Sequence, residues 1–156
     1  YSLAQKLFRE AARRASETTA ENALFNENLA ALNANDASGA AALIKEAADS
    51  SRLRESILFE QAHYAAKRMA PQAAELLANF ITLAETPALK TQARLDQAEV
   101  ALNLNPPDLE TVQTILPLLE KEQLSPEQTM QLARLNILEA ESRQTGVSGR
   151  QRRLVL

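Results

Sequence analysis

The chain has 156 residues, 46 % of them hydrophobic, with 17 basic and 20 acidic side chains that leave a net charge of −3. That much apolar residue supports a real core and excludes a disordered tail, while charge of both signs spread along the chain argues against a nucleic-acid surface. No apolar run approaches the roughly 18 residues of a membrane span, and the absence of cysteine removes disulfides and thiolate metal sites but leaves the compartment open.

Only 3 Gly and 6 Pro interrupt a chain rich in Ala, Leu, Glu and Gln, the residues that lose least on entering a helix. Residues 2–15 open with Ala4, Leu7, Phe8 and Ala11, at relative positions 0, 3, 4 and 7, which form one stripe along a helix. A longer helix is expected over Glu17–Asn35, closed by the turn Asn35-Asp36-Ala37-Ser38-Gly39, in which Asp36 or Ser38 can cap the next helix. The stripe then returns as Ala40, Leu43, Ile44, Ala47, with a second long helix after it over Ser51–Met69. Its third copy is Ala73, Leu76, Leu77, Phe80. Thr86-Pro87 then sets a capping hydroxyl before a proline at the first helical position, opening a long helix over Ala88–Leu104. Asn105-Pro106-Pro107-Asp108 breaks that helix and caps the fourth stripe, Val112, Ile115, Leu116, Leu119. Ser125-Pro126 begins a last long helix over Pro126–Gln144, and Gln151, Leu154 and Val155 would open a fifth stripe.

The stripes start 36, 33 and 39 residues apart (4 to 40, 40 to 73, 73 to 112). A fixed period of this size is the signature of stacked supersecondary units. The long helices align as well, with Phe25, Phe59, Leu95 and Leu135 in one column and Ala30, Tyr64, Val100 and Ala140 in another. Each unit is therefore a hairpin of one long and one striped helix.

This unit resembles the tetratricopeptide repeat, whose second helix carries small or apolar residues at the same 0, 3, 4, 7 spacing. Ala40-Leu43-Ile44-Ala47 matches that half closely, and Tyr64 fills the place of the family's late aromatic in the first helix. The family's Trp and its Leu-Gly pair have no counterpart; Asn28, Ala62 and Ala98 are the nearest small or polar residues, and HEAT-like or Sel1-like repeats remain alternatives. The resemblance implies an all-α, right-handed superhelical solenoid of antiparallel helix hairpins over residues 1–156. About three full repeats would carry a half repeat at each end. Ends that fall out of register, with no initiator Met, imply a piece of a longer solenoid or multidomain protein.

Chemistry is sparse. Glu60-x-x-His63 has the spacing of half a di-iron carboxylate site, but His63 is the sole histidine, so the second half cannot exist and no metal is expected. Without Cys, a second His or a Gly-x-Ser-x-Gly turn there is no nucleophile-and-base pair, and neither enzyme activity nor a cofactor is expected. Carboxylates such as Asp96 and Glu99 read as a solvated helix face.

In the resembling family the long helices line a concave groove. That implies a partner-binding row of Asn22, Asn26, Asn33, Glu60, His63, Lys67, Asp96, Glu99 and Asn103, able to hydrogen-bond an extended peptide or a helix. Lys90-x-x-x-Arg94 resembles one half of the family's carboxylate clamp, but its other half is missing and chaperone-tail binding is not expected. The function implied is a non-catalytic scaffold for a protein or peptide partner, without nucleic acid or membrane insertion. A structural spacer or oligomerisation arm is the alternative, and end-to-end self-association is expected of uncovered end stripes. Those uncovered residues would be Leu3, Leu7 and Phe8 at one end and Leu132, Leu135, Leu154 and Val155 at the other. In composition the Ala-, Gln- and Asn-rich repeats resemble solenoids of the bacterial cell envelope, including export machinery, which implies a periplasmic location ahead of a cytoplasmic one.

Overall fold

A computed structural model describes residues 1–153, with side chains through Gln144, and among these residues it is helical throughout with no strand. Eight α-helices alternate as expected between striped and long. The striped helices are α1 (Ser2–Arg14), α3 (Ala37–Glu46, extended by a 3-10 turn over Ala47–Asp49), α5 (Ala73–Leu83) and α7 (Leu109–Leu119). The long helices are α2 (Glu17–Asn33), α4 (Ser51–Lys67), α6 (Pro87–Leu102) and α8 (Pro126–Arg153). The chain forms two compact units, Tyr1–Ala65 and Ala66–Leu156.

Local chemistry sets the boundaries. Helix α2 stops because Asn35 takes a left-handed φ of 56°, which lets the Asp36 amide reach back to the Ala31 carbonyl at 2.9 Å and the Asn35 amide to Leu32 at 3.0 Å. Those two bonds satisfy carbonyls that the helix end would leave open. Asp36 then caps α3 by accepting the Gly39 amide at 2.9 Å, while Gln5 of α1 donates to its other oxygen. A Cβ at Gly39 would run into the Asp36 carboxylate, so a larger residue here would displace the cap. Asp108 caps α7 through the Thr111 amide at 3.1 Å, and its carboxyl is held below the usual range by the Thr111 hydroxyl and then that amide. At α8, Ser125 Oγ accepts the Gln128 amide at 3.2 Å and Gln128 Oε1 accepts the Ser125 amide at 3.0 Å, a reciprocal capping box.

In the first unit, Leu43, Ala47, Leu53 and Ile57 are buried together, with Leu24, Phe25 and Ile44 packed on them. Stripe residues of α3 thus meet both neighbouring long helices. Helix α1 packs beside α2 but buries no residue: Ala4, Phe8 and Ala12 are half-buried, and Leu3 and Leu7 stay exposed. Arg9 secures this helix. Its guanidinium reaches Glu27 of α2 at 2.7 Å and both oxygens of Glu46 of α3 at 2.5 and 2.6 Å. Glu46 and then Glu27 raise the guanidinium further above its ordinary value, so it stays charged.

In the second unit, Leu95, Ala98, Ala101 and Leu102 of α6, Val112, Ile115, Leu116 and Leu119 of α7, and Leu132 and Leu135 of α8 make one core. All four residues of the last stripe are buried. Leu132 and Leu135, expected as uncovered, belong to this core instead, because the face of α8 that carries both meets the apolar residues of α6 and α7. Helix α8 also departs from the expected end at Gln144 by running without a break to Arg153, through Gly146 and Gly149. Two isolated glycines cost a helix only about 1 kcal/mol each, and no proline stands between them to stop it. Leu154 and Val155 lie outside the described residues.

These burials give two stability tests by urea melting. Leu119→Ala should cost about 3 kcal/mol, while Met130→Ala, on the exposed side of α8, should stay within about 0.5 kcal/mol. Arg9→Met should cost about 3 kcal/mol, because it strands the Glu27 carboxylate, only 6 % exposed, without its cation.

Candidate functional site

The expected binding row falls into two parts, one in each unit. In the first, Asn22 and Asn26 are exposed on α2, and Asn33 turns its amide back onto the Leu29 carbonyl at 2.8 Å. Glu60 and His63 are half-buried on α4, where the His63 ring stacks on Phe59 one turn earlier, centroids 5.4 Å apart and planes 20° apart. Spacing of four residues on one helix face accounts for that contact, which makes His63 part of a helix surface.

The second unit brings three of the expected residues together. Lys67, at the end of α4, places its ammonium 3.4 Å from Asp96 and 3.2 Å from Glu99 of α6. Gln92 donates to Asp96 at 3.2 Å and to Gln131 of α8 at 3.2 Å. Gln131 donates in turn to Glu99 at 3.3 Å, and Gln128 donates to the Gln92 carbonyl oxygen at 3.2 Å. Within the second unit, one continuous seam of two carboxylates, one ammonium and three amides therefore runs from Lys67 across α6 to α8. Asn103, at the end of α6, folds its amide onto the Glu99 carbonyl at 2.8 Å, the arrangement of Asn33 repeated 70 positions later.

Asp96 is the correction here. It was expected on a solvated face, yet it is 1 % exposed. Lys67 and Gln92 cover it, so it organises the seam from beneath while Glu99 and Lys67 form its accessible surface. Burial pulls the Lys67 ammonium down, but attraction from Asp96 and the bond to Glu99 outweigh burial and hold it above its ordinary value.

Several polar residues hold contacts that the sequence did not reveal. Gln61 of α4 donates to both Asn28 of α2 and the Ala40 carbonyl of α3, each at 2.9 Å, in the first unit. Asn28, fully buried, occupies the column where the other long helices carry Ala62 and Ala98. Arg94 pairs with Glu122, which also accepts the Thr91 hydroxyl, so the half-clamp at Lys90-x-x-x-Arg94 is used to hold the loop after α7. Asn28 and Arg94 were named from sequence, but not their partners Gln61 and Glu122. Among the described residues no three acidic or histidine side chains are grouped to hold a metal, and no helix is long and apolar enough to cross a membrane. Comparison with protein-family models, curated proteins and solved structures returns no match.

The seam has a pH signature. The folded value of Lys67 lies above the unfolded one, so its contribution is fully present below about pH 10.4 and is lost as pH rises through the folded value. Lys67→Ala should cost about 1–2 kcal/mol at pH 7, toward the low end because the ammonium is half exposed to solvent. Urea melts should show this difference unchanged from about pH 7 to pH 10 and shrinking above.

Proposed function

We propose that this chain is a tetratricopeptide-type scaffold that holds a protein or peptide partner along its long helices and performs no catalysis. The observation that carries this reading is the seam of Lys67, Gln92, Glu99, Gln128 and Gln131. Amides cross-linked between α6 and α8 are held in place before any partner arrives, so little side-chain freedom remains to be lost on binding. Such groups donate to and accept from a peptide backbone, and the excess of carboxylate over ammonium favours a partner with a basic or polar side chain beside Glu99. Exposed Asn22 and Asn26 offer the same chemistry on α2.

The test is panning of a displayed random-peptide library against the 156-residue chain, with titration of the enriched peptides afterwards. Enriched peptides should carry Lys or Arg, and Glu99→Lys should weaken them by about tenfold or more, as loss of one charge-assisted contact does. Leu83→Ala, an exposed change on α5, should leave them unaffected. Enrichment of nothing, or of peptides indifferent to Glu99, would favour the spacer or oligomerisation arm instead.

A further inference from the structure

We infer that the exposed apolar faces of α1 and α8 are the two halves of one interface. Helix α1 of one copy docks on α8 of a second copy and takes there the place that α7 takes on α6. The inference rests on the repeat register and is independent of partner binding.

An end repeat with nothing stacked on it carries a polar outer face. Here Leu3 and Leu7 of α1 are 69 % and 62 % exposed, and Met130 and Ile137 of α8 are 69 % and 60 % exposed. Leu7 holds the stripe position that Leu43 and Ile115 fill in α3 and α7, where both are buried. Ala11, also exposed, holds the position of Ala47, Phe80 and Leu119, all buried. On α8 the exposed Ala133 and Ala140 correspond to Ala93 and Val100 of α6, which are 0 % and 5 % exposed. Both helices thus present exposed the very positions that are buried on other helices of the chain.

The register of the match can be read from the intact α6–α7 hairpin. There Gln97 shares a cleft with Thr111 and Ile115. The equivalent residues are Ile137 on α8 and Leu3 and Leu7 on α1. An antiparallel α1 laid on α8 therefore sets Leu3 and Leu7 against Ile137, carries Leu7 on to Ala133, and brings Ala11 to Met130. In this direction the basic last turn of α1, Arg13 and Arg14, falls beside Glu127 in the acidic first turn of α8. Apolar residues stand at this seam where the closed hairpin carries Gln97 and Thr111. The contact is heterologous, since each copy gives a different face, so it grows past two copies unless geometry closes a ring.

Sedimentation velocity on the 156-residue chain from about 5 to 500 µM tests this, a span suited to a small, weak interface. The sedimentation coefficient should climb with concentration beyond that of a dimer. Leu7→Glu and Ile137→Glu should each stay monomeric, yet an equimolar mixture of the two should form a one-to-one complex that grows no further. Leu83→Glu on α5 should behave as the unaltered chain does. A monomeric unaltered chain at the highest concentration would overturn the inference. So would continued self-association of Leu7→Glu or Ile137→Glu alone, which would mean like faces pairing, or loss of association in Leu83→Glu. Thermal melts by circular dichroism confirm folding of each variant, and Leu3→Glu with Met130→Glu provides a second mixing pair if either first variant unfolds. Peptide panning reads a different surface, so either result can fail without the other.

Discussion

Close approach of helices through alanine governs how this chain is built. With no Trp and only six Phe and Tyr, bulk cannot come from aromatic rings. Ala31, Ala73, Ala93 and Ala98 are completely buried, and Ala47 and Ala62 are 1 % exposed. A methyl group at the crossing brings two helix axes near the short end of the usual 8–10 Å range. Leu43 in the first unit and Leu77, Leu95 and Leu119 in the second, all fully buried, supply the bulk. Each such contact buries modest apolar area at about 25 cal/mol per Å², so one hairpin gains little alone and depends on its neighbours.

Tight seams also decide where polar groups can go. A backbone crossing leaves no room for a long side chain at its centre, but a polar group at the edge can reach across. Arg9, Gln61, Lys67, Gln92 and Arg94 all do this, each spanning at least two elements. Their partners Glu27, Asn28 and Asp96 are almost wholly buried, so each bridge is costly to break even where its net contribution to stability is small.

The apolar framework was legible in sequence because its information is local. A 3.6-residue period places Ala40, Leu43 and Ala47 on one face whatever surrounds them, and Asp36, Asp108 and Ser125 cap through residues only three positions away. Burial of Asp96 and Glu27 was not legible, since it depends on Lys67 and Arg9, 29 and 18 positions distant, about which local pattern says nothing. The placing of Leu132 and Leu135 failed for a related reason: an apolar column identifies a face, and only the neighbouring helix tells which side that face meets. The expected end of the last long helix at Gln144 rested on the repeat interval, and a helix already anchored by its first four turns runs on through Gly146 and Gly149. For the binding row, periodicity could place Lys67, Asp96 and Glu99 on long helices, but the amides Gln128 and Gln131 that complete the seam came only with the fold.

One column of the long helices shows why the polar bridges matter beyond their energy. Equivalent positions hold Glu27, Gln61, Gln97 and Ile137. Glu27 receives Arg9, Gln61 ties α2 to α3, Gln97 lines the α6–α7 cleft, and Ile137 meets solvent. The apolar stripes are near copies of one another, so apolar packing alone would accept a hairpin paired with the wrong neighbour. A wrong pairing would set Glu27 against a striped helix without Arg9, or Gln61 against a long helix without Asn28. Either would leave a buried polar group unmet, at a cost of about 1–3 kcal/mol or more for the charge. The repeated stripe supplies the attraction between hairpins, and the unrepeated residues in this column supply their order.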